Sequence, residues 1–168
     1  MLYPNEYLDS VKDISLEFLN KNNIKGLILD VDNTLINLER KMPAGVSEWA
    51  KNLKSNGIKM CILSNSNKIE KIEAVAKIID VPYIFFAKKP FKSGFIRAKE
   101  LLKLDNKNLA VVGDQIFTDV IGANRCNMFS ILVKPIEEKD YLLTKIKRPL
   151  EKLVIKKYEE NKRKKKLK

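Results

Sequence analysis

The sequence contains no histidine and only two cysteines among its 168 residues. Without histidine, the chain cannot form Ser-His-Asp or Cys-His nucleophile systems, zinc sites with histidine ligands, or phosphohistidine. Cys61 and Cys126 do not form a CxxC motif and Cys61 lies in an apolar run, so we expect two buried thiols rather than a disulfide or a zinc site. Any catalysis must therefore depend on carboxylates, lysines and a bound metal ion.

The chain also lacks an apolar run of the roughly 18 to 20 residues that a membrane-spanning helix requires. Its N-terminal region carries the acidic residues Glu6, Asp9, Asp13 and Glu17. A basic segment followed by an apolar core, the pattern of a signal peptide, is not found there. We therefore expect a cytoplasmic protein.

Positive charge is abundant and unevenly spread. The formal net charge is +12, and residues 151–168 contain nine basic and three acidic residues. We expect one globular domain over residues 1–150, followed by a basic tail over 151–168 whose lysine run at 162–166 is too self-repulsive to become ordered. Apolar residues among these lysines suit peripheral binding to an anionic membrane on its inner face. A solvated tail without a partner and nucleic-acid binding are the alternatives.

Short apolar runs alternate with segments of helical period, and such runs are typical of strands buried on both faces of a parallel sheet. The runs are residues 26–29, 60–63, 84–87, 109–112 and 130–133. This alternation predicts an α/β fold with a Rossmann-like, doubly wound, mainly parallel five-stranded sheet and helices on both faces. Residues 1–23 predict a leading amphipathic helix that packs through Val11, Ile14, Phe18 and Leu19.

Polar residues follow four of these runs, where an open parallel sheet binds its ligands. Each residue alone has an ordinary explanation as a helix cap, a turn residue or a surface lysine. Their common position after separate strands favours a single site. They are Asp30, Asp32 and Thr34 after the first run, Ser64 and Asn65 after the second, Lys89 after the third, and Asp114 and Asp119 after the fourth.

These groups suit the hydrolysis of a phosphate monoester, which requires that several negative charges be neutralised. Asp30 and Asp114 are hard oxygen ligands that suit Mg²⁺, although Mn²⁺ accepts the same ligands. One aspartate can attack phosphorus, and Asp32 can protonate the leaving oxygen and later activate water. The Ser64 hydroxyl and Lys89 would hold the remaining phosphoryl oxygens.

The residues resemble the four motifs of haloacid dehalogenase superfamily phosphatases: a DxDxT strand end, a Ser or Thr, a Lys, and an acidic GDxxxxD string. The resemblance implies that Asp30 is the nucleophile and a metal ligand, that Asp32 is the acid/base and offers its backbone carbonyl to the metal, and that Asp114 completes the ligands. It further implies that Asp119 supports Lys89 or a metal-bound water. The phosphate contacts are then Thr34, Ser64, Asn65 and Lys89. Asp32 and Thr34 favour a phosphatase over a dehalogenase, and Lys89 is preferred to Lys88 because it directly precedes Pro90.

A finer resemblance, over about residues 1–150, is to the YqeG-like subgroup of class IIIA, which is related to mitochondrial phosphatidylglycerophosphate phosphatases. About 30 residues separate Thr34 from Ser64 and about 25 separate Ser64 from Lys89, which leaves no room for a cap domain. An open site suits a phosphate on a large carrier, and the predicted substrate is phosphatidylglycerophosphate, an anionic lipid. The alternatives are a phosphatase of a small metabolite or phosphoprotein, and a basic RNA- or ribosome-associated binding module with vestigial activity. The intact set of acids argues against the last alternative.

Overall fold

The structure is a computed structural model that describes residues 1–137 and 148–166. Within these residues six strands form one parallel sheet in the order β1-β6-β5-β2-β3-β4. The strands are β1 (Glu6–Leu8), β2 (Gly26–Leu29), β3 (Lys59–Leu63), β4 (Tyr83–Ile84), β5 (Leu109–Gly113) and β6 (Phe129–Val133). The central strand β2 is buried along its whole length, as its continuous apolar run predicts.

Helices cover both faces of the sheet. They are α1 (Leu16–Lys21), α2 (Val46–Ser55), α3 (Ile69–Ile79), α4 (Lys92–Leu102), α5 (Ile121–Arg125) and α6 (Arg148–Lys166), and a π-helical turn (Ile116–Val120) precedes α5. Because side chains alternate along a strand, Leu27 and Leu29 pack in the core under α1, α2 and α3. Ile28 packs in the second core, under α4 and α5. The predicted Rossmann-like α/β architecture is confirmed.

The predicted leading helix over residues 1–23 is wrong in its element type. The segment forms strand β1, a 3₁₀ turn (Val11–Asp13) and the short helix α1. The side chains of Ser10 and Ser15 each accept a hydrogen bond from a backbone N–H of the turn or helix that follows, and so start two separate elements. The apolar period nevertheless marked the packing face, since Val11 and Ile14 are buried.

The strand count differs from the prediction because β1 has no apolar run. Its residues Glu6, Tyr7 and Leu8 are half-buried and pair with β6 at the edge of the sheet. The run at 84–87 also forms a strand only at its start. After Ile84 the chain leaves the sheet, because Phe86 adopts a left-handed backbone with φ of 48°.

Residues 151–166 of the basic tail form part of helix α6, although we expected the lysine run at 162–166 to be too self-repulsive for order; residues 167–168 lie outside the described residues. Val154 and Ile155 pack against a small apolar cluster, and the Tyr158 hydroxyl donates a hydrogen bond to the Asn5 carbonyl at 3.3 Å. This packing onto the domain holds the helix through Lys166. The division at residue 150 stays a prediction. None of the helices in the described residues combines the length and apolar character needed to cross a membrane.

Candidate active site

The sheet brings the predicted residues together at the carboxyl ends of its strands. Strand β2 lies between β3 and β5, so Asp30 is central, and its N–H donates to the Val112 carbonyl at 2.9 Å. Ser64 follows β3, and its N–H donates to the Ile84 carbonyl at 2.9 Å. These hydrogen bonds continue the sheet ladders past the last strand residues and hold the first site residues in register.

A buried lysine joins two of the motifs. The Lys89 Nζ lies 2.6 Å from Asp30 Oδ1 and 2.6 Å from Asp119 Oδ1. All three residues are at least nine-tenths buried. A buried charge requires a partner, and here each charge has one. Lys88, the alternative lysine, is exposed and lies over the Phe86 ring, 5.2 Å from its centroid.

Three buried carboxylates form a candidate metal centre. Asp30, Asp114 and Asp119 each present an oxygen, and these oxygens lie within 4.8 Å of one another. Hard oxygen donors at this spacing fit Mg²⁺. Asp119 belongs to this cluster although the sequence did not predict it as a metal ligand. The predicted contribution of Asp32 to the metal, through its backbone carbonyl, stays a prediction.

The position of Asp119 depends on Gly113. A Cβ added at Gly113 would lie 2.2 Å from Asp119 Cγ, so only glycine leaves room for the carboxylate. The second oxygen of Asp119 accepts hydrogen bonds from the Gln115 N–H at 3.2 Å and the Thr118 hydroxyl at 3.3 Å. The GDxxxxD spacing therefore places one acid after β5 and folds the other back beside it.

Asp32 has a partner that sequence reasoning missed. The Lys71 Nζ lies 2.6 Å and 2.7 Å from the two oxygens of Asp32. Lys71 is on α3 and only 8% exposed, which is rare for a lysine without a specific contact. The available signal was its place four residues before Val75, on the apolar face of that helix. Lys71 fixes the orientation of the predicted acid/base.

Two of the remaining predicted residues, Asn65 and Thr34, contact the buried cluster directly, and Ser64 follows the neighbouring strand β3. The Asn65 side chain accepts from the Lys89 N–H at 2.6 Å and donates to the Lys89 carbonyl at 3.0 Å, so it positions the lysine. The Thr34 hydroxyl donates to Asp30 Oδ2 at 3.3 Å, and Ser64 Oγ accepts from the Ser66 N–H at 3.1 Å. Their phosphate contacts stay predictions.

Burial has the largest effect on the pKa of Asp30, the predicted nucleophile. It raises the pKa of Asp30 from 3.8 to about 6, and Lys89 opposes this rise while Asp119 and Asp32 add to it. Burial lowers the pKa of Lys89, but Asp119 and Asp30 together hold that pKa above its usual range. Lys89 therefore stays charged. Its positive charge favours the ionised form of the Asp30 side chain, which the predicted attack on phosphorus requires.

Among the described residues, no cap domain is inserted between the strands that carry the site. The chain between β2 and β3 contains the single helix α2, and the chain between β3 and β4 contains the single helix α3. The expectation of a minimal or missing cap is confirmed. The site lies at the carboxyl-end edge of the sheet.

Comparison with known proteins gives consistent matches. The haloacid dehalogenase-like hydrolase family matches residues 39–127. The probable phosphatase YqeG of Bacillus subtilis (strain 168) is 34% identical over 153 residues, which are 90% of this chain and 88% of that protein. An uncharacterized protein from Listeria monocytogenes serotype 4b has a similar fold, with a TM-score of 0.54 at 21% identity over 71% of this chain and 86% of that chain. A HAD phosphatase from Thermococcus onnurineus shares the fold at a TM-score of 0.51 and 21% identity, over 61% of this chain and 51% of that one.

Proposed function

We propose a substrate and a mechanism for this chain, which belongs to the haloacid dehalogenase-like hydrolases and is a phosphatase of that family. It hydrolyses a phosphate monoester carried on an anionic lipid, with Mg²⁺ as cofactor and Asp30 as nucleophile. The observation that carries the chemistry is the buried cluster in which Lys89 contacts Asp30 and Asp119 beside Asp114. This cluster combines a nucleophile, a fixed positive charge and a set of metal ligands in one place.

In the proposed reaction an oxygen of Asp30 attacks phosphorus, and the bond from phosphorus to the alcohol oxygen breaks. Asp32 gives that oxygen a proton. Water then attacks the aspartyl phosphate, Asp32 accepts the proton of the water, and inorganic phosphate leaves as the bond to Asp30 breaks. Lys89 and the Ser64 hydroxyl hold the phosphoryl oxygens during both steps.

Asp30, Asp114 and the backbone carbonyl of Asp32 would hold the cation, with Asp119 beside them. When bound, it supplies positive charge to the phosphoryl oxygens and to the attacking carboxylate. The protein itself keeps the carboxylates and Lys89 buried and holds them in fixed positions. Asp30 and Asp114 lie at the ends of neighbouring strands, where the hydrogen-bonded backbone of the sheet sets their separation.

The lipid substrate is supported by two features besides the resemblance to the YqeG-like subgroup. No cap domain encloses the site among the described residues. Helix α6 exposes Leu150 and Leu153, 56% and 60% exposed, among lysines. Such a mixed face suits the surface of an anionic membrane. Phosphatidylglycerophosphate, whose terminal phosphate stands on a headgroup at that surface, is the substrate we propose.

The test is phosphate release from phosphatidylglycerophosphate in mixed micelles, with and without Mg²⁺, for the wild type and for Asp30→Asn. Asp105→Asn is the matched control, because Asp105 is exposed and its side chain makes no capping hydrogen bond. We expect Mg²⁺-dependent release that Asp30→Asn abolishes and Asp105→Asn retains. If the wild type hydrolyses p-nitrophenyl phosphate but leaves the lipid untouched, the lipid assignment is wrong and the catalytic assignment stands.

A further inference from the structure

Exposed apolar side chains lie in the chain segments next to the active-site residues. Phe85, Phe86 and Phe91 are 39%, 54% and 63% exposed, and they flank the buried Lys89 in the chain. Ile69, 39% exposed, begins α3. Phe91 directly precedes α4, so Ile69 and Phe91 both follow strand ends at the same edge of the sheet as Asp30. Burying apolar side chains is favourable, and this fold leaves a large part of each of these exposed to water.

The backbone holds these side chains outward. Phe86 and Lys88 have φ of 48° and 55°, a left-handed conformation that is costly for a bulky residue. As a result Phe86 and Lys88 are exposed, whereas Ala87 and Lys89 between and after them are buried. The fold thus keeps an unfavourable backbone conformation that turns an aromatic ring and an ammonium to the outside.

Backbone hydrogen bonds to the segment after β3 hold residues 86–87 in this conformation. The Phe86 N–H donates to the Ser66 carbonyl and the Ala87 N–H donates to the Ser64 carbonyl, each at 2.9 Å. Helix α4 also approaches closely, since a Cβ added at Gly94 would lie 2.7 Å from the Ala87 carbonyl oxygen. The exposed rings are therefore presented by a backbone that is hydrogen-bonded to the site itself.

The segment that carries the three rings is positively charged, while the exposed Glu70 beside Ile69 is acidic. No acidic residue occurs between Val81 and Lys99, and Lys88 and Lys92 are exposed beside the phenylalanines. Rings enter the interface of a bilayer while neighbouring lysines meet anionic headgroups. Aromatic rings with lysines also stack on single-stranded nucleic acid, but the aliphatic Ile69 gives no stacking surface and favours the bilayer.

We propose that this rim, consisting of Ile69, Phe85, Phe86, Lys88, Phe91 and Lys92, docks the active site on an anionic lipid bilayer. The rim rests on the proposed function, because docking serves a substrate that stays in the membrane. The phosphorylated headgroup then reaches Asp30 without leaving the bilayer. The rim is separate from the exposed face of α6, so the two surfaces can be substituted independently.

The test is co-sedimentation of the full chain with vesicles of phosphatidylcholine, alone or with one third phosphatidylglycerol. The rim variant is Phe86→Asn with Phe91→Ser, in which Asn tolerates the left-handed backbone. The matched control is Ile78→Ser with Leu101→Ser, near the C-terminal ends of α3 and α4, whose side chains are similarly exposed at 57% and 45%. We expect the rim variant to bind anionic vesicles at least about tenfold more weakly than the control does, with unchanged hydrolysis of p-nitrophenyl phosphate.

A second measurement uses Phe91→Trp as a fluorescent reporter. Its emission should shift to the blue with anionic vesicles and stay unchanged with a single-stranded oligouridylate. The proposal would be overturned if the rim variant and the wild type bound vesicles equally. It would also be overturned if the rim variant lost binding only to the oligouridylate. Rim-dependent vesicle binding without turnover of phosphatidylglycerophosphate would support the docking surface and reject the lipid substrate, so the two failures are distinguishable.

Discussion

Replacing Asp30 with asparagine should make the metal-free protein more stable at neutral pH. Burial raises the pKa of Asp30 from 3.8 to about 6 even with Lys89 at 2.6 Å. The folded state therefore holds the proton more tightly than the unfolded chain does. Ionisation of Asp30 costs stability as the pH rises from 4 to 6, and above that range the full cost is present. The difference of about 2 pKa units corresponds to about 3 kcal/mol.

Asn cannot ionise and has almost the same shape as Asp, so Asp30→Asn should remove this cost. In EDTA at pH 7.5 we expect the variant to exceed the wild type in free energy of unfolding by about 3 kcal/mol, and at pH 5 by about half as much. Urea unfolding at both pH values measures the difference. Asp105→Asn, at an exposed site, should leave the free energy of unfolding within about 0.5 kcal/mol of the wild type at both.

The sign of the result decides between two physical effects. If Asp30→Asn is less stable than the wild type at pH 7.5, the attraction of Lys89 outweighs the loss of hydration, and the reasoning from burial is refuted. A gain in stability that does not change between pH 5 and pH 7.5 would refute the linkage to ionisation. It would point instead to packing or hydrogen bonding of the new amide.

Three further results are expected. Lys71→Met should lower kcat about tenfold for phenyl phosphate and less for p-nitrophenyl phosphate, whose leaving group needs no proton; equal losses would separate Lys71 from the acid step. Asn65→Ala should lower kcat/KM at least about tenfold because Lys89 loses its backbone clamp, whereas Asn67→Ala, at an exposed neighbouring position, should not. Glu151→Ala should lower the free energy of unfolding in urea by about 2 kcal/mol, because it leaves the Ile116 N–H without this acceptor; no change would mean that water replaces the carboxylate.

The central strands and the candidate site could be predicted because local signals coincide with the topology. The run at 26–29 is the observed β2, and it ends at Asp30. In a parallel sheet the carboxyl ends of the strands share one edge, so polar residues that follow separate strands meet there. The sheet order was not needed for this step. It was enough that the strands are parallel, since that alone places Ser64 and Asp114 at the same edge as Asp30.

The periphery could not be predicted, because an apolar period reports which side chains are buried rather than the backbone conformation that buries them. Ile14 is fully buried, as the period indicates, yet it lies in a connection between two elements. The order of the lysine run in α6 depends on distant contacts, such as that of Tyr158 with Asn5. Considering only the repulsion among the basic residues at 162–166 led to the wrong expectation that this run is not ordered.

The charge balance of the site links its stability to the metal. Asp30, Asp114 and Asp119 converge in one buried cluster, in which Lys89 pairs with Asp30 and Asp119, while Lys71 pairs with Asp32. Burial is the largest cause of the raised pKa of Asp30, and the charge of Asp119 adds to it. A divalent ion held by the same carboxylates would offset both effects. Mg²⁺ should consequently stabilise the wild type more than Asp30→Asn, and narrow or reverse the order of stability that the two proteins have in EDTA.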